Sequence, residues 1–228
     1  MLLSGLTNRH MEYSADDIVQ YENDVAACRA RPTLYVGQDD TVDCVSTMLQ
    51  EALSMALQSV MDDVATAIRI TRHLDGRIEL RDNGPTHNPL EVRDGVSLIE
   101  LMLTQFAACN DAREINRSYF NFGIVSANAL SKHFLFEMTH DGQLWRQEFR
   151  CGLPVSAVKS ICATNEHFRR ICFDPDVAIL PNSRISYVGF QSWFAENCTM
   201  IDGCDITFCD ETLNQTFDVV RNRQITKA

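Results

Sequence analysis

Residues 66–72 and 77–82 alternate apolar and polar side chains on either side of Asp75-Gly76. An Asp-Gly pair accepts the positive φ angles that close a tight antiparallel hairpin, so this stretch is read as two paired strands. The same pattern returns at Asp141-Gly142, between apolar-rich runs at 134–139 and 144–149. Further strands are expected at 170–173, 205–209 and 215–219. Such a sheet must cover one face. A helix over 42–61 supplies the cover, because Leu49, Ala52, Leu53, Ala56 and Val60 recur as one apolar stripe, with Glu51, Met55, Gln58 and Asp62 near another face. The expected class is α+β, a two-layer α/β sandwich whose mixed, mostly antiparallel sheet carries helices on one face.

Other helices follow from capping and spacing. Ser14 and Asp17 read as the start of a helix carrying Ile18, Tyr21, Val25 and Cys28, which stops before Pro32. Ser97 and Glu100 form a capping box for a helix over 98–107. Helices over 123–131 and 184–196 complete the set, with a polar, irregular stretch at 109–122. Of the 228 residues, 45% are hydrophobic, enough for one sizeable core. The chain divides into an arm (1–12), a main domain (13–220) and a polar tail (221–228).

Thirty-one acidic against 20 basic residues give a formal net charge of -11. Phosphate backbones are held by basic patches, and no Lys/Arg cluster occurs, so direct nucleic-acid binding is not expected. A basic protein surface is the better electrostatic match. The nine cysteines form no CxxC pair and share no ligand spacing with the six histidines, so no metal site is assigned. The N-terminus lacks the apolar run of a secretory signal, and no stretch reaches transmembrane length; reduced thiols and a cytoplasmic location are expected.

One stretch asks for chemistry. In RDNGPTHNP (81–89), period two places Asp82 on the face of Ile78 and Leu80, so a carboxylate is aimed inward at a strand end. Read from the residues alone, Asp82 is either a ligand-facing acceptor or a turn residue capping the Asn83-Gly84 bend. Glu51 is either a reactive carboxylate or a solvated helix residue.

The order of three segments carries a resemblance. RARPTLYVG (29–37) is similar to an Arg-x-Arg-Pro-Gly-Met-Tyr-Ile-Gly run, and GIVSANALSKHFLF (123–136) to a Gly-Val-Ser-Val-Val-Asn-Ala-Leu-Ser run. Between them, QEALSMALQ (50–58) and the hairpin ending in RDNG occupy the places of a Glu-x-x-x-Asn helix and an Asp-Gly-x-Gly loop. Over roughly residues 13–220, by motif order, the chain resembles the N-terminal ATPase domain of the DNA gyrase and topoisomerase IV B subunits. These belong to the GHKL ATPase superfamily, with Hsp90, MutL and histidine kinases. The resemblance implies Glu51 as the catalytic carboxylate that polarises water, Asp82 and Gly84 as the adenine-binding pair, and Gly123 as part of the phosphate lid.

Departures from the pattern shape the functional expectation. Met55 stands where the family's magnesium-binding Asn belongs, and a thioether is a poor ligand for a hard cation. The cofactor therefore stays open: the resemblance implies ATP, while Met55 argues against magnesium. The glycine-rich lid is replaced by Ser118-Tyr119-Phe120-Asn121-Phe122-Gly123, keeping only the last glycine. Backbone that must approach phosphate closely now carries side chains. The leading expectation is a degenerate gyrase-B-like domain, a non-hydrolysing pseudo-ATPase that acts through protein contacts. Two alternatives stand beside it: an adenine-nucleotide-binding ATPase of the type II topoisomerase class with a rebuilt lid, and a regulator pairing with a full-length gyrase-type subunit. The partner expected is a protein, either a gyrase-type subunit or a second copy.

Overall fold

The computed structural model describes residues 19–37, 44–106, 123–181, 187–197 and 203–220. The arm, Ser14 to Asp17, the aromatic run at 118–122 and the tail lie outside the described residues.

The first hairpin forms as the alternation requires. Strands β1 (Ala67–Arg72) and β2 (Ile78–Asp82) pair antiparallel, with Ile70 opposite Leu80 and Ile68 opposite Asp82. The second Asp-Gly turn joins β5 (Ser131–His140) to β6 (Gln143–Arg150), and both turn residues have positive φ, 49° at Asp141 and 69° at Gly142. Two short strands, β3 (Val92–Arg93) and β4 (Val96–Ser97), form a separate ribbon. The remaining strands are β7 (Leu153–Pro154), β8 (Lys159–Ala163), β9 (Arg169–Pro175), β10 (Asp205–Asp210) and β11 (Gln215–Val220). The main sheet runs β11-β10-β1-β2-β9-β5-β6-β7, with β8 also paired to β6. Pairing is antiparallel except between β1 and β10.

The helices are α1 (Asp24–Ala30), α2 (Thr33–Val36), α3 (Cys44–Met61), α4 (Leu98–Thr104), α5 (Ile124–Ala129) and α6 (Tyr187–Asn197). Their apolar sides meet one face of the sheet. Leu49, Ala52, Leu53, Ala56 and Val60 of α3 are buried in the same cluster as Ile68, Ile78, Leu80, Phe136, Ile171 and Phe208 of the strands. Phe190 of α6 lies 5.9 Å from the Phe208 ring, and Phe134 stacks on Phe173 at 6.3 Å. This is the α+β sandwich expected from the alternation and the α3 stripe.

The first helix starts later than its spacing suggests. Residues 19–23 are not helical; Asn23 takes the cap, its side chain accepting from the Ala26 amide at 2.8 Å. A nearby capping residue fixes the start, and apolar spacing alone cannot. Ser97 does cap α4, accepting from the Glu100 amide at 3.1 Å. Strand β8 and helix α2 go beyond the sequence expectation; β8 is exposed along its whole length and carries no alternation to read.

Candidate functional site

Helix α3 presents Glu51, Met55 and Ser59 at successive i, i+4 positions, hence along one stripe. Glu51 is not a solvated carboxylate. It is buried, and its Oε2 accepts a hydrogen bond of 2.5 Å from the Gly123 amide. Gly123 caps α5 with φ 65°, a left-handed conformation that favours glycine. Glu51 and Gly123, 72 residues apart, are thus brought together at the mouth of α5. Met55 is partly buried and packs against the core cluster. That contact explains an apolar side chain on what the sequence presents as a polar face.

Asp82 closes the other end of the stripe. It is buried and faces inward with Ile78 and Leu80, as period two requires. Directly across the β2–β9 ladder stands Arg169, also buried. Arg169 donates to Asp82 Oδ1 through Nη2 at 2.7 Å and Nε at 3.0 Å, and Nε lies 3.3 Å from Oδ2. Its Nη2 also donates to Ser59 Oγ at 2.9 Å and the Met55 carbonyl at 3.3 Å. Ser59 Oγ in turn donates to the Met55 carbonyl at 3.0 Å. The strand-end carboxylate and the helix stripe are therefore stapled together by one guanidinium. A buried charge pair of this kind persists because each partner is hydrogen-bonded as well as neutralised.

Gly84 makes the staple sterically feasible. Its amide donates to Asp82 Oδ1 at 2.8 Å, the bend-capping bond that is the simpler reading of RDNG. A Cβ at Gly84 would lie 2.7 Å from Arg169 Nη2, 2.8 Å from Asp82 Oδ1 and 2.9 Å from Ser59 Oγ. All three atoms are held by the hydrogen bonds above, so none can yield cheaply. Sequence reading finds Asp82 and Gly84 and misses Arg169. Its strand is expected from Arg170 onward, and nothing local marks a partner 87 residues away.

The two segments most like the family's runs are joined to each other. Arg29 of RARPTLYVG donates to the Ala129 carbonyl at 2.8 Å and pairs with Asp176 at 2.7 Å. In GIVSANALS, Asn128 Nδ2 donates to the Leu103 carbonyl at 2.8 Å and the Gly152 carbonyl at 3.1 Å, and Ser131 Oγ donates to the Ala127 carbonyl at 2.6 Å. These residues lock α1, α4 and α5 to the sheet end.

A cleft of about 510 Å³ opens beside the 81–89 loop, among Pro85, Thr86, His140, Gly142, Glu166 and His167. Glu51, Asp82 and Gly123 do not line it, so hollow and candidate residues do not coincide. On the sheet's outer face, buried Glu137 takes Arg146 Nε at 2.6 Å and Arg146 Nη2 at 2.5 Å. Arg170 Nη2 forms an ion pair with Glu137 Oε2 at 2.5 Å. Arg146 thus neutralises a carboxylate with no exposed surface.

No family model matches the chain. It is similar to the DNA gyrase B subunit of Thermotoga maritima, 26% identical over 205 residues, which covers 87% of this chain and 32% of that protein. The DNA gyrase B subunit of Helicobacter pylori is 28% identical over 192 residues, covering 80% of the chain and 25% of the relative. The DNA topoisomerase 4 B subunit of Haemophilus influenzae is 25% identical over 215 residues, covering 91% and 33%. The chain thus spans about a quarter to a third of the length of these relatives. In sequence the chain is similar to the B subunits of DNA gyrase and topoisomerase IV, and its α+β sandwich with a mostly antiparallel sheet is consistent with the GHKL fold.

Proposed function

We propose that this protein is a gyrase-B-like domain that has given up ATP turnover and works through protein contacts. One observation carries the reading: the Asp82 carboxylate, which the resemblance assigns to adenine, is engaged by the buried guanidinium of Arg169. To accept an adenine amino group in its place, the site would have to break a charge-assisted, bidentate contact and leave Arg169 buried without its partner. That substitution is uphill by several kcal/mol, roughly 3–5.

The residues on α3 also fit a magnesium–nucleotide complex poorly. Four residues after Glu51 the stripe offers Met55, whose sulfur suits soft metals and which packs into the core instead. Glu51 already engages the Gly123 amide through one carboxylate oxygen. A fold can outlast its chemistry, and the contacts of Arg29 and Asn128, in the runs most like the family's, hold elements together. The partner class that suits a chain of net charge -11 is a protein with a basic face, of which a gyrase-type subunit is one candidate and a second copy another.

The test is magnesium-dependent phosphate release from ATP by the purified chain, measured beside Glu51→Ala. The reading expects equal background rates in both. Turnover above background that disappears in Glu51→Ala would overturn it. It would favour the second reading, a working adenine-nucleotide site, for which the burial of Glu51 against Gly123 is the supporting observation.

A further inference from the structure

The outer face of the sheet, opposite the Asp82 staple, brings together three side chains that no sequence spacing connects. Glu79 of β2 and Cys172 of β9 are direct cross-strand partners. His73 follows β1 by one residue and, by period two, shares the outer face with Thr71, which stands opposite Glu79. The potential ligand atoms of His73, Glu79 and Cys172 all lie within 4.8 Å of one another, and His73 Nε2 is 3.6 Å from Glu79 Oε2.

We infer that His73 Nε2, a Glu79 carboxylate oxygen and Cys172 Sγ form a binding site for a zinc-like divalent cation, with water in the fourth position. Zinc takes nitrogen, oxygen and sulfur ligands at about 2.0–2.3 Å, and a tetrahedral set at those lengths has ligand atoms about 3.3–3.7 Å apart. The His73–Glu79 separation already falls there, and the other two edges need to shorten by at most about 1.5 Å, within the reach of side-chain rotation. The mixed N/O/S set excludes magnesium and calcium, which take oxygen.

A supporting shell is present. Glu211 Oε1 lies 3.2 Å from His73 Nδ1, and the other oxygen of Glu211 accepts from the Leu74 amide at 3.1 Å. A carboxylate on Nδ1 selects the tautomer whose Nε2 lone pair is available to a metal, as such outer carboxylates do at zinc–histidine sites. Glu211 comes from the loop after β10, so the arrangement ties three separate strand ends together. Access exists, since Cys172 lines a groove of about 260 Å³ with Arg77, Glu148 and Asp174. One contact competes: Arg170 Nη1 lies 3.7 Å from Glu79 Oε2, a loose pair that an inner-sphere metal would replace at that oxygen.

The experiment titrates Zn²⁺ into the reduced 228-residue chain against a chromophoric chelator, with Co²⁺ as a spectroscopic stand-in. The expected result is one equivalent bound and a thiolate-to-cobalt charge-transfer band. That band disappears in Cys172→Ser, and zinc affinity falls at least about tenfold in Cys172→Ser and in Glu79→Gln. Glu211→Gln keeps the stoichiometry but weakens binding about 10–100-fold. Cys162→Ser, at an exposed thiol outside the cluster, leaves both readouts unchanged. Circular dichroism confirms that each variant is folded. Absence of saturable binding, or a wild-type cobalt band in Cys172→Ser, overturns the inference.

Discussion

Replacing Arg169 with Met tests whether the staple between β2, β9 and α3 carries the weight its geometry implies. Methionine keeps much of the side chain's length and removes the guanidinium. Asp82 then keeps only the Gly84 amide among its partners described above, while Ser59 Oγ and the Met55 carbonyl each lose a donor. Asp82 has 4% of its side-chain surface exposed, so water cannot readily replace what is lost. Breaking a buried pair from one side costs about 3–5 kcal/mol, chiefly the penalty of an uncompensated charge. Removing both charges is far cheaper, because desolvation then disappears along with the attraction. Arg169→Met should therefore lower stability by about 3–5 kcal/mol, whereas Arg169→Met/Asp82→Leu should cost at least about 2 kcal/mol less than the sum of the two single changes. Urea unfolding followed by circular dichroism and tryptophan fluorescence reads both. A single-mutant loss below about 1 kcal/mol, or strict additivity in the double mutant, would refute the argument.

Two further predictions concern stability. Gly152 has φ 81°, and a Cβ there would sit 2.4 Å from Val25 Cγ1 and 2.9 Å from Ala129 Cα, so Gly152→Ala combines left-handed strain with overpacking and should cost about 2–4 kcal/mol by denaturant titration. Asp210 is buried, which by itself pushes its carboxyl pKa up, but the Thr212 hydroxyl and amide and the Arg72 guanidinium outweigh this and hold it below the ordinary carboxylate range. A pKa lower in the folded than in the unfolded chain gives stability that is present above the unfolded value, about 3.9, and is lost as pH falls through the folded value. Asp210→Asn should thus be less stable than wild type near neutrality, and the gap should close as the pH is taken below about 4; a gap that is constant with pH would contradict the assignment.

What can be read in the sequence is what depends on neighbours along the chain. Asp75-Gly76 and Asp141-Gly142 dictate their turns, the α3 stripe dictates its buried face, and period two places Asp82 inward. The start of α1 escapes such reading because helical spacing cannot choose between competing caps, and Asn23 makes the bond that decides it. The function of the site is harder to read for the same reason at longer range. Arg169 and Asp82 are 87 residues apart, Gly123 and Glu51 are 72 apart, and His73, Glu79 and Cys172 meet only because β1, β2 and β9 lie side by side. A strand arginine looks like surface until the ladder shows what it faces.

The division of labour between motifs follows. Arg29 and Asn128, in the runs most like the gyrase-B pattern, bond to backbone carbonyls and hold neighbouring elements together. Met55, where the pattern is broken, packs inward, and Arg169 meets the carboxylate that the resemblance assigns to adenine. On the proposed reading, the scaffold is kept while the Asp82 carboxylate is committed to Arg169.

The most direct test of that claim is a calorimetric titration of ATP into the purified chain, with and without magnesium, beside Asp82→Asn. Commitment of Asp82 to Arg169 predicts no saturable heat for wild type under either condition. Saturable ATP binding that weakens in Asp82→Asn would contradict it, because the carboxylate would then be serving the nucleotide and not the arginine.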